Sequence, residues 1–150
     1  MEQVTVPSRE AWGDLSVDPD VEYGHELFGG KTVTEAAPLF LDNPMERAAE
    51  LRFTPPAVFN YYVFCFVGHL LGSQGAGQSD MASCFLRLVR DRARDHPATL
   101  TDVWGRLWPA VVQVSDRQAF YDADVEIYGA FLALRRDIEM SMTASNDRGA

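Results

Sequence analysis

After residue 31 the hydrophobic positions recur mostly at helical spacing. Thr34 can cap a short turn through Phe40, and Asn43 followed by Pro44 predicts a helix to about Arg52, with proline at its first position. Thr54 and Pro55 open a long uncharged helix that runs to about Leu71 and stops at Gly72. From Ser79 or Asp80, the residues Met81, Cys84, Phe85, Leu88 and Val89 fall on one face, and Arg87, Arg90, Asp91 and Arg94 on the other. That amphipathic helix ends at His96 and Pro97. A segment starting at Thr99 or Thr101 places Val103, Trp104, Leu107, Val111 and Val112 at helical steps, with Pro109 expected to kink or split it. Ser115 and Gln118 have capping-box spacing. They predict a last helix carrying Phe120, Ile127, Phe131, Leu134 and Ile138.

The stretch before these helices reads differently. WGDLSVDPDVEYGHELFGG has Gly and Pro spread through it and no helical period, which predicts a loop with at most one short strand or turn. Its length and its Trp12, Tyr23 and Phe28 favour ordered packing against the helices. Residues 1–30 are thus expected to be an irregular acidic segment, 31–142 a helical domain and 143–150 a frayed tail. The fold class is all-α: one domain of about five helices around the apolar helix at 55–72. No internal repeat supports a solenoid.

The 150 residues suit one domain that builds its core without disulfide or metal. Phe53–Ser79 lacks Asp, Glu, Lys and Arg, but Pro55 and Pro56 open it and Asn60 and His69 interrupt it, so it predicts a helix buried on all sides and no membrane span. Charges and Pro7 at the N-terminus argue against a secretory signal. Cys65 and Cys84 lie in apolar helical segments without CxxC spacing. Reduced, buried thiols and a cytoplasmic location are expected.

The net charge of −9 repels phosphate backbones and anionic membranes and argues against nucleic acid as partner. Residues 1–52 hold 11 acids and 4 bases, and Glu10–Gly30 holds six acids with no Lys or Arg. Two acidic patches with aromatic anchors are candidate partner-binding surfaces: Asp18, Asp20, Glu22, Tyr23 and Glu26, and Asp122, Asp124, Glu126 and Tyr128. Their plainer role is a solvated surface that keeps a monomer soluble.

Other chemistry is thinner. GHELFGGKT misses the phosphate-loop spacing by one residue and carries Glu26 inside it, so no nucleotide cofactor is expected. Cys65 and His69 are four apart on one helical face and, with Cys84 or His25, would supply soft metal ligands; with only one tight pair, the expectation is no metal. With Tyr62 they are the alternative lining of a small-ligand pocket. Asp122, Asp124 and Glu126 lack the glycine of a calcium loop and read as first-turn acids of a helix. The three histidines are scattered, and no nucleophilic triad is visible.

Two resemblances are carried by short motifs. The run from Arg90 to His96 resembles the RxxxxxH signature of HEPN-type helical ribonucleases, in which Arg and His activate a ribose hydroxyl without metal; it implies Arg90 and His96 as an alternative catalytic pair. LRFTPPAVFNYYVFCFVGHLL, with SDMASCFL and VSDRQAFYDADVEIYGAFLAL, resembles a small bacterial helical family of unknown function with a Phe-x-Tyr-Tyr core helix. That second likeness implies fold and no activity. The expected function is a non-enzymatic acidic domain that binds a basic protein, most concretely as an inhibitor or immunity-type partner of a toxin or enzyme. The alternatives are the ribonuclease and a small-ligand binder. The apolar helix would serve a core or a homodimer equally well.

Overall fold

The computed structural model describes residues 5–149, and no strand occurs among them. The acidic N-terminal segment is the first departure from the sequence reading. After a 3₁₀ turn at Glu10–Trp12, helix α1 spans Pro19–Phe28 where an irregular segment was expected. Its start is strongly specified: the Asp18 side chain accepts from the Asp20 amide, Pro19 occupies the first helical position, and Asp20 and Glu22 face the positive end of the helix dipole. Val21, Gly24 and Phe28 are buried at helical spacing. Gly24 therefore belongs to the packing stripe and is not a helix breaker.

Helices α2 (Val33–Asp42) and α3 (Pro44–Leu51) follow, α2 capped by a reciprocal Thr32–Glu35 box and α3 by Asn43. The middle of the uncharged stretch is buried, as the sequence predicts, every residue from Val58 to Phe66 among them. It is not one helix. It divides into α4 (Pro56–Tyr62), a 3₁₀ turn at Val63–Cys65 and α5 (Val67–Leu71). Aromatic and β-branched residues favour helix weakly, so contacts on every side set the winding. The Tyr62 hydroxyl meets the carbonyls of Phe28 (3.0 Å) and Lys31 (2.8 Å), and the Tyr61 hydroxyl accepts from the Val33 amide (3.2 Å).

Helix α6 (Ser79–Asp95) is the long amphipathic helix the sequence predicts. A 3₁₀ segment at Pro97–Val103 leads into α7 (Trp104–Ser115), which runs unbroken through Pro109. Pro109 lies on the exposed side, and the change of winding falls earlier, at Val103. The Ser115–Gln118 capping box is also absent. Ser115 closes α7 by donating to the Val112 carbonyl, and a loop with a short helix α8 (Val125–Tyr128) precedes α9 (Phe131–Gly149). Gln118 organises that loop: its amide nitrogen donates to the Ala123 and Gly129 carbonyls, and its oxygen accepts from the Phe131 amide at the start of α9. Ile127, expected in the core, is 74% exposed. The expected frayed tail is helical through Gly149, anchored by buried Ile138 and Met142; Ala150 lies outside the described residues.

Helix α6 packs along α9 and against α3. The core is aromatic, with Phe28 against Phe40 and Tyr62 (5.2 and 4.9 Å between centroids) and Phe40 against Phe66 (5.1 Å). No helix among the described residues is long and apolar enough to cross a membrane.

Candidate functional site

Helix α1 turns Val21, Gly24 and Phe28 inward and leaves Asp20, Glu22, Tyr23 and Glu26 exposed. Asp18 is half-buried and spends one oxygen as the helix cap. Tyr23 is 48% exposed, and Val17 just before the helix is 78% exposed. Glu22 and Glu26 are four residues apart, so two like charges share one face and cost the helix a few tenths of a kcal/mol, on the order of 0.2–0.5. The side chains of Asp20, Glu22 and Glu26 form no hydrogen bond or ion pair among the described residues. Inward of them lies a different kind of acid. Glu50 of α3 is buried and meets buried Arg47 in a two-pronged pair at 2.5 and 2.8 Å. Burial nevertheless holds the Glu50 carboxyl above its ordinary value, against the pull of Arg47, and the charge of Asp20 adds to the rise.

The second patch is built on the start of α6. Asp122, with φ of +57°, Asp124 and Glu126 are exposed, and Asp124 caps α8 by accepting from the Glu126 amide. Tyr128 is half-buried and tied down: its hydroxyl donates to Asp80 at 2.6 Å and meets Ser79 at 3.0 Å, and its carbonyl accepts from Arg87. The hydrogen bond to Asp80 raises its phenol above the ordinary value. The outward apolar groups here are Val125 and Ile127, which the sequence reading did not include.

Arg90 and His96 are not brought together. At about 100° per residue, six residues separate the two positions widely around a helix, and the chain leaves α6 at His96, which is exposed. The Arg90 guanidinium holds Asp91 at 3.1 Å, and Asp91 also pairs with Arg52 and Arg94. The buried arginine of this string, Arg92, is a structural residue that the sequence reading did not single out. Buried Arg92 donates to the carbonyls of Arg52 (3.0 Å) and Thr54 (2.9 Å) and to the Thr99 hydroxyl (3.1 Å), and its guanidinium lies 4.4 Å over the Phe59 ring. Burial lowers it to about 10, which leaves it charged at neutral pH.

Of the proposed pocket residues, Cys65 and His69 share an open groove of about 310 Å³, and Tyr62 does not reach it. Tyr62 is fully buried, and burial pushes its phenol up. Val33, Ala37 and Pro38 of α2 form one wall and Phe64 and Cys65 the other, with Thr34, His69 and Gln74 along the polar edge. The Cys65 thiol is buried, raised by desolvation, and directed at the Val33 carbonyl at 3.9 Å. Cys84 lines a separate cleft of about 190 Å³ between α3 and α6, flanked by Arg52 and Arg87. Both cysteines are free, and no three His, Cys, Asp or Glu side chains are gathered to hold a metal among the described residues.

Comparison with family models, with curated proteins and with solved structures finds no match for this chain. The site is therefore read from its own geometry.

Proposed function

We propose that the protein is a non-enzymatic binding domain for a basic protein, most concretely an inhibitor or immunity-type partner of a basic toxin or enzyme in the cytoplasm. The observation that carries this reading is the outward face of α1, where Asp20, Glu22 and Glu26 surround half-exposed Tyr23 without a described cation against them. The arginines are used differently. Arg47, Arg92 and Arg117 bind a buried carboxylate or main-chain carbonyls, and Arg52, Arg90 and Arg94 share Asp91. The acid surplus of the sequence is thus left at the surface. Such a face speeds encounter with a cationic cleft and fixes its orientation, while an aromatic side chain supplies contact that excludes water. Asp122, Asp124 and Glu126, with Val125 and Ile127, form a second surface of the same character.

The test is affinity capture from native lysate with the whole chain as bait, at low and at high salt, with proteins identified by mass and nucleic acid assayed separately. A basic protein held in stoichiometric amount at low salt and released at high salt is the expected result. Nucleic acid alone, or a bait that retains no basic protein, overturns the reading.

A further inference from the structure

We infer that the outward face of α9 docks a second copy of this chain, the two α9 helices running antiparallel. Leu132, Arg135, Arg136 and Glu139 enclose one open hollow of about 290 Å³. Their spacing, i, i+3, i+4 and i+7, is that of the four-residue hole which receives a side chain from a facing helix in knobs-into-holes packing. Asp116 holds Arg135 at 2.8 Å and so fixes one wall. A knob is present on the same helix: Met140 is 63% exposed, and Leu132 at the rim is 57% exposed. The middle of the uncharged stretch is buried in the core, so a second copy has to meet the protein on another face.

Charge selects the partner and the direction. Arg136 and Glu139 are exposed, and neither forms an ion pair or hydrogen bond among the described residues. Every other arginine whose side chain is described is engaged by a hydrogen bond, an ion pair or an aromatic ring. In an isologous pair residue i meets j and j meets i. With the two-fold axis between positions 137 and 138, Arg136 of each copy meets Glu139 of the other, and Met140 of each stands over the other's hollow. A parallel pair in register would set Arg136 against Arg136 and Glu139 against Glu139. The net charge of −9 opposes association of two copies in general, and this face admits it because each acid on it meets a base. One helix-on-helix contact buries little area, so the dimer is of the weak, transient class. Helix α9 packs on α6 and α7, and α1 on α3, so this surface does not depend on the acidic face of α1.

The experiment is sedimentation equilibrium of the full chain from about 10 μM to about 1 mM, the range in which weak dimers form. Wild type should move from one-chain towards two-chain mass. Arg136→Glu alone and Glu139→Arg alone should each weaken dimerisation by about ten-fold or more, because both symmetric pairs become like-charged. An equal mixture of these two variants should regain it: one chain then presents two acids to two bases of the other, while both remain acidic overall. Met140→Gln removes the knob, should weaken the dimer by about ten-fold, and carries the test where a charge reversal unfolds the chain. One-chain mass throughout, or variants that dimerise as wild type does, overturns the docking face. Loss in both folded reversals that their mixture does not restore overturns the antiparallel pairing.

Discussion

Gly24 of α1 lies directly against Glu50 of α3: a Cβ at position 24 would stand 3.1 Å from the Glu50 Cβ and 3.2 Å from the Phe28 Cζ. Neither neighbour is free to move, because Glu50 is held by Arg47 and Phe28 is fully buried in the aromatic core. The close approach of these two helices sets how α1 presents its acidic face.

Two glycine substitutions separate packing from propensity. Gly24→Ala is expected to lower stability by about 1–3 kcal/mol through overpacking, against the helix-propensity gain. Gly105→Ala in α7, where a Cβ meets nothing, is expected to raise it by about 0.5–1 kcal/mol. Urea melts read both, and a stabilised Gly24→Ala contradicts the tight contact.

Arg92 is the second test. Arg92→Met leaves the carbonyls of Arg52 and Thr54 without their buried donor and should cost about 2–4 kcal/mol. Arg90→Met removes a half-buried pair between adjacent residues while Asp91 keeps Arg52 and Arg94, and should stay within about 0.5 kcal/mol of wild type. Equal effects of the two would mean that Arg92 does not hold the α3–α4 junction.

Glu50 gives a pH dependence of definite sign. Its folded value lies above the ordinary 4.5, so the folded chain binds this proton more tightly than the unfolded chain. The stability it contributes is full below the unfolded value and falls as pH rises through the folded one. Glu50→Gln cannot ionise. Its stability relative to wild type should therefore be higher at about pH 7 than at about pH 4, as read by urea melts at the two pH values. A difference that shrinks as pH rises would show that the Arg47 pair outweighs burial.

The sequence made the all-α class legible because the burial stripes of α2, α3, α6 and α9 follow the helical period, and Asn43–Pro44 marks a boundary unambiguously. It misled where one residue type serves two ends. Gly24 has the look of a turn residue and is a packing residue; Gln118 has the spacing of a local cap and instead reaches across a loop to the Phe131 amide. The acids on α1 were legible as a group, but their common face was not, since that required the helix. The groove at Cys65 and His69 was half legible, because its α2 wall exists only once the 63–71 segment packs against it.

The most direct measurement is the association rate of the captured basic partner as a function of ionic strength, for wild type and for a chain carrying Asp18→Asn, Asp20→Asn, Glu22→Gln and Glu26→Gln. Asparagine at 18 preserves the cap of α1, so the helix is retained while the face loses its charge. Wild type should associate fast at low salt and slow steeply as salt is added, and the neutralised chain should associate slowly with a flatter salt dependence. Identical rates and identical salt slopes for the two chains would contradict the assignment of α1 as the binding face.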